Sequence, residues 1–183
     1  MKTYQYSLIL ILTLVLTACK SSFTEEDRDK LATLQTQMSE GSFEFKATTV
    51  KPFNTQALNN VANELLLRTG NSAARINVQG ENYTMKIEEE QVVFSLPFYG
   101  ERRMGGGYNN DTGYSFTGDL TNLTSIINEK EKCIVYEFST YDKSESLDVE
   151  LKVFSPNSAQ LHINSSHRTF IKYDGNIKWL QKI

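Results

Sequence analysis

The chain has little of what usually marks a biochemical activity. It holds two cysteines, two histidines, three prolines and a single tryptophan in 183 residues. Two histidines, His162 and His167, with no cysteine or acid spaced to join them, fall short of the three or four convergent ligands of a zinc site. No metal and no cofactor is expected. Basic charge is also scarce: 19 Lys and Arg stand against 22 Asp and Glu, the net charge is −3 and the pI is near 5.5. That balance excludes a nucleic-acid binder, which needs a basic field, and gives no electrostatic hold on an anionic bilayer. Serines are plentiful, yet none sits in a Gly-x-Ser-x-Gly elbow, so a hydrolase of that type lacks its turn. The longest apolar run, Leu8 to Leu16, is far shorter than the ~20 residues of a spanning helix.

That run has the layout of an export signal. Lys2 supplies the positive end, the apolar stretch follows, and it closes on Leu16-Thr17-Ala18-Cys19. The box resembles that of bacterial lipoproteins. The resemblance implies that residues 1–18 are removed, that Cys19 takes a diacylglyceryl group, and that residues 19–24 form a lipid-bearing tether ahead of one domain over 25–183. An ordinary signal peptide with a chance cysteine is the plainer alternative. On the lipoprotein reading the partner is a membrane, reached through covalent lipid on Cys19. The place is the cell envelope, at the outer membrane, on its periplasmic face or at the cell surface. Cys133 is then alone, with no partner for a disulfide. It lies in the apolar run Cys133-Ile134-Val135-Tyr136, which reads as a small buried hydrophobe rather than a catalytic thiolate.

Behind the tether, Thr24 is placed to cap a helix whose first turn carries Glu25, Glu26 and Asp27. Leu31, Leu34 and Met38 form one apolar stripe, and Gly41 stops it, which predicts an amphipathic helix over 25–39. The acids, with Asp29, also admit a reading as a surface-export signal behind the cysteine. From Ser42 the period becomes two. Phe43/Phe45/Ala47, Ala74/Ile76/Val78, Tyr83/Met85/Ile87, Val92/Phe94/Leu96, Tyr114/Phe116, Ile134/Tyr136/Phe138, Leu147 to Val153, Ala159/Leu161/Ile163 and Ile171/Tyr173 each alternate with polar residues. Ser155-Pro156-Asn157 has the composition of a type I turn, and Gly175 closes the last strand. Residues 56–69 fit helix or strand. One apolar face per strand predicts a mainly β chain, an antiparallel sandwich or half-barrel preceded by one amphipathic helix.

Several segments together carry a family likeness: Phe43-Glu44-Phe45-Lys46-Ala47, Leu96-Pro97-Phe98-Tyr99-Gly100, Gly113-Tyr114-Ser115-Phe116, Ser165-Ser166-His167-Arg168 and Ile171-Lys172-Tyr173-Asp174-Gly175. In this order they resemble domain-of-unknown-function family 4251, of Bacteroides-type envelope lipoproteins, over about residues 25–178. The resemblance implies location and fold and carries no mechanism.

Three groups of residues invite chemistry. Arg102-Arg103-Met104-Gly105-Gly106-Gly107-Tyr108 offers glycine amides and two arginines to an anion, but lacks a P-loop ending; the plain reading is a hairpin loop between the strands at Leu96 and Tyr114. If a ligand site exists there, Tyr99, Arg102, Arg103, Tyr108 and Tyr114 would line it. Asp142/Glu145 and Asp148/Glu150 are the carboxylate pairs, the second sharing a solvated strand face with Lys152. Both histidines read as surface residues. Arg168, of parity opposite to Ile171 and Tyr173, is expected to pair on the surface or cap the barrel edge. The leading expectation is a lipid-anchored, non-catalytic binding or accessory module, with an envelope protein or a small ligand as partner. The alternatives are a carrier of a small molecule or lipid inside a half-barrel, and an envelope hydrolase.

Overall fold

The computed structural model describes residues 23–40, 42–53, 72–104 and 113–180. The signal segment, Cys19, Gly41, the stretch 56–69 and Tyr108 lie outside the described residues.

The expected helix is α1, Glu25–Glu40. Thr24 caps it in both directions: its Oγ1 accepts from the Asp27 amide at 3.2 Å, and its own amide donates to Asp27 Oδ2 at 3.1 Å. This is a capping box with Asp in the usual Glu position. Lys132 reaches the same carboxylate at 2.8 Å. The Lys132 hydrogen bond first, and the Thr24 amide next, lower the Asp27 pKa to about 2. Leu31, Leu34 and Met38 turn into the core.

All the described strands belong to one antiparallel sheet, so the half-barrel, not the sandwich, is the architecture. They are β1 Ser42–Pro52, β2 Ile76–Asn77, β3 Thr84–Glu88, β4 Gln91–Pro97, β5 Gly113–Asp119, β6 Thr121–Asn128, β7 Cys133–Asp142, β8 Glu145–Phe154, β9 Ser158–Ser165 and β10 Ile171–Leu180. Their order is β5-β4-β3-β1-β10-β9-β8-β7-β6, with β2 pairing β1 beside β3. The two edge strands, β5 and β6, are consecutive in the chain. Such an order forces the sheet to curl until its ends meet. They meet closely: a Cβ on Gly118 of β5 would overlap Thr140 Oγ1 of β7.

The apolar faces predicted from period two point inward and pack against one another. Phe43, Phe45, Met85, Phe94, Tyr114, Leu151, Leu161, Ile163 and Tyr173 are at most 2 % exposed. Phe43 packs edge-on against Tyr136 and Trp179, with ring centres 5.8 and 6.0 Å apart. The open edge of β6 is managed in two ways that blunt edge strands generally. Gln35 of α1 donates to the Ser125 carbonyl at 2.9 Å, and a bulge between Thr121 and Thr124, with Asn122 at φ 54°, bends the strand away.

Three expectations are corrected, and one strand carried no signal. The strand over Ala74/Ile76/Val78 shrinks to β2, which pairs β1 at Thr49 and Val50, beyond the Phe43–Lys46 stretch that β3 occupies. Ala74 is exposed, and Ser72 and Arg75 bond each other. Gly175 does not end β10; the strand runs through it to Leu180. A side chain there would strike the Lys46 carbonyl and the Phe45 ring, so this glycine permits close approach and is not a stop. The Ser155-Pro156 bond is cis, so the turn is not type I. Strand β6 had no period-two signal, because most of its residues are exposed on both faces.

Gly175→Ala should therefore destabilise the domain by about 1–3 kcal/mol, as overpacking does, where alanine in an ordinary strand would stabilise it; chemical denaturation reads the sign. Asp27 titrates lower folded than unfolded, so its contribution is complete above about pH 4 and fades as pH falls toward 2. An Asp27→Asn variant should show a flatter thermal stability profile across that acid window.

Candidate functional site

The loop residues expected to line a ligand site do not converge. Tyr99 is 40 % exposed while Tyr114 is 1 % exposed and belongs to the core. Arg102 and Arg103 are exposed, but their backbones are tied down: Arg102 bridges Arg168, and the Arg103 amide donates to the His167 carbonyl at 2.8 Å. Tyr108 is outside the described residues. The hairpin itself is as expected, with β4 and β5 paired from Gln91/Asp119 to Pro97/Gly113. Its base is fixed by Glu101 and Thr169, whose amides donate to Thr169 Oγ1 at 3.0 Å and to the Glu101 carbonyl at 2.9 Å.

Arg168 corrects a second expectation. It is 3 % exposed, not a surface residue, because strand parity does not carry across the break between β9 and β10. Its Nε lies 2.9 Å from Glu145 Oε1, and its Nη1 donates to the Gly113 carbonyl at 2.8 Å. The guanidinium sits 4.4 Å from the Tyr114 ring centre and 5.3 Å from that of Phe98. Ser165 completes the cluster. Its hydroxyl donates to Glu145 and accepts from the amides of His167 and Arg168 at 3.0 and 3.2 Å. The sealed Tyr114 hydroxyl lies beside this cluster, and burial raises its pKa. Glu145 is thus committed to Arg168 and is not a free acid facing Asp142, its hairpin neighbour.

Cys133 is buried, and burial raises its thiol pKa, which disfavours the thiolate a nucleophile needs. Among the described residues no group of three or more His, Cys, Asp or Glu is arranged to hold a metal.

The arrangement that sequence reasoning missed lies on the outer face of β6–β9. Register stacks two polar rungs there. One is Ser139, Asp148 and Asn164; the next is Thr124, Glu137, Glu150 and His162. They floor an open concavity of about 490 Å³, walled by Asn122 and by the half-buried ring of Phe170. Asp148 accepts from the Ser139 hydroxyl at 2.9 Å. Glu150 lies 2.7 Å from His162 Nδ1 and 4.0 Å from Lys152. His162 is more covered than a surface histidine, its side chain 15 % exposed. Burial, with Lys172 next, lowers its pKa against the pull of Glu150, so the ring is neutral near pH 7 and Nδ1 donates. Glu137 has no ionic partner among the described residues. Asp148, Glu150 and Lys152 were correctly placed on one outward face. What sequence cannot show is that Glu137 and Asn164 stand beside them, since that needs the register of four strands.

Fold and site together describe a curled antiparallel domain with a packed interior and a polar outer floor. The family comparison gives its place: the chain belongs to the family Domain of unknown function (DUF4251), matched over residues 25–177. That span runs from the first turn of α1 into β10. Comparison with curated proteins gave no match.

Arg168→Met should cost about 3–5 kcal/mol, because it leaves Glu145 charged and buried. Adding Glu145→Leu should recover much of that loss in denaturant unfolding. A double variant as unstable as the two single losses added together would refute the coupling.

Proposed function

We propose that this protein is a lipid-anchored module of the cell envelope that binds a ligand or partner and does not catalyse. Two or three acyl chains on Cys19, at about 0.8 kcal/mol per buried methylene, would make release negligible. Among the described residues no helix is long and apolar enough to cross a membrane. The charge balance offers no second attachment, so the anchor rests on the Leu16-Thr17-Ala18-Cys19 box. The outer membrane, on its periplasmic face or at the cell surface, is the proposed site.

One observation carries the binding half of this reading: polar side chains converge on an outward concavity while the interior is filled with aromatic and aliphatic ones. A carrier would need room inside the curl, where the described side chains pack against each other. A hydrolase would need a reactive group in reach. Of the groups such a reading calls on, Cys133 is sealed, Glu145 is held in an ion pair, and Asp148 and Glu150 are bonded to Ser139 and His162 along one strand face.

Cys19→Ser should move the protein from the membrane fraction to the soluble fraction of expressing cells, with its folded spectrum unchanged. A variant that still pelleted with membranes would overturn the anchor.

A further inference from the structure

The outer concavity has a chemistry that narrows its ligand, and the inference rests on the binding reading above. Its floor is a grid. Adjacent strands lie about 4.8 Å apart and the two rungs about 6.6 Å apart, so the side-chain tips spread over the footprint of one or two sugar rings. Glu137, Asp148 and Glu150 accept hydrogen bonds; Asn164, Thr124 and Ser139 offer hydroxyl or amide groups that both donate and accept.

Charge decides between ligand classes. An anion would face three carboxylates. A cation would find its place partly taken: His162 already bonds Glu150, Lys152, itself held by Glu131 at 2.7 Å, stands 4.0 Å from that carboxylate, and Lys172 lies 5.3 Å from the Phe170 ring centre. A neutral ligand rich in hydroxyls meets neither objection. Each hydroxyl can donate to Glu137 or Asp148 and accept from Asn164. Phe170 supplies what hydrogen bonds cannot, an apolar wall for the C–H face of a sugar ring. Its ring is held edge-on by His162, with centres 5.8 Å apart, so it is a fixed surface and not a swinging one.

We propose that the concavity formed by Glu137, Asp148, Glu150, His162, Asn164 and Phe170 is a saccharide-binding site. The Glu150–His162 hydrogen bond positions one end of the floor. Glu137 and Asn164, which make no side-chain hydrogen bond to another described residue, are the groups that contact the sugar.

The test is a titration of the isotope-labelled Cys19→Ser chain, followed by amide NMR. The probes are maltotriose, cellotriose, mannotriose and chitotriose, with spermidine and inorganic phosphate as charged comparators. At least one trisaccharide should shift the amides of Glu137, Asp148, Glu150 and Asn164. Asn164→Ala, an exposed position that leaves the fold intact, and Phe170→Ala should each weaken that binding about tenfold or more (~1.4 kcal/mol). Silence from all four sugars would overturn the proposal. So would spermidine or phosphate shifting these amides in place of the sugars; that outcome would leave a binding module whose ligand is charged. Appearance of shorter sugars during the titration would instead overturn the non-catalytic reading itself.

Discussion

Arg168 and Glu145 form a buried charge pair in a mainly apolar half-barrel, and the closing end of the molecule is organised around satisfying them. A buried guanidinium must have its donors and its charge met, or the fold loses several kcal/mol. The partners come from separated parts of the chain: Glu145 after the β7–β8 turn, Ser165 at the end of β9, the Gly113 carbonyl at the start of β5, and the rings of Phe98 and Tyr114. The pair need not add net stability to matter. Its role is positional, since each partner is correct in only one arrangement of the hairpins. That holds the base of the β4–β5 loop against the β9–β10 connection, where Glu101 and Thr169 bond each other.

From this end the curl propagates. Because β5 and β6 follow each other in the chain and stand at opposite ends of the sheet order, the sheet cannot lie flat. Gly118 lets β5 approach β7, and Gly175 lets β10 approach β1. The curl separates two chemistries. Inside, aromatic rings and branched aliphatics pack together, as in small barrels generally. Outside, the alternate residues of β6–β9 make the polar rungs over which Phe170 leans. The proposed site lies on this outer face, where polar side chains line an open concavity.

Much of this was legible from residue order, and for physical reasons. Period two needs no long-range information, so Leu147, Val149, Leu151 and Val153 announced β8 and its inward face. The helix was equally plain, because capping by Thr24 and Asp27 is local. Features decided by non-local contact were hidden. Gly175 looks like a stop until Lys46 and Phe45 are beside it. Arg168 looks exposed until Glu145, at the far end of a hairpin, is seen to turn inward. The loop residues Tyr99, Arg102, Arg103 and Tyr114 share a sequence neighbourhood, yet burial divides them. Glu137, Glu150 and His162 are dispersed in sequence and become neighbours only through register.

The described side chains pack the interior of the half-barrel, and the proposed ligand-binding face is outside it. Native mass spectrometry of the Cys19→Ser protein, purified without detergent, tests this most directly. The account predicts the mass of the bare chain, with an added saccharide retained by the parent and not by Asn164→Ala. A lipid or other apolar molecule co-purifying at one per chain would contradict it, since such a guest needs the interior that the core side chains occupy.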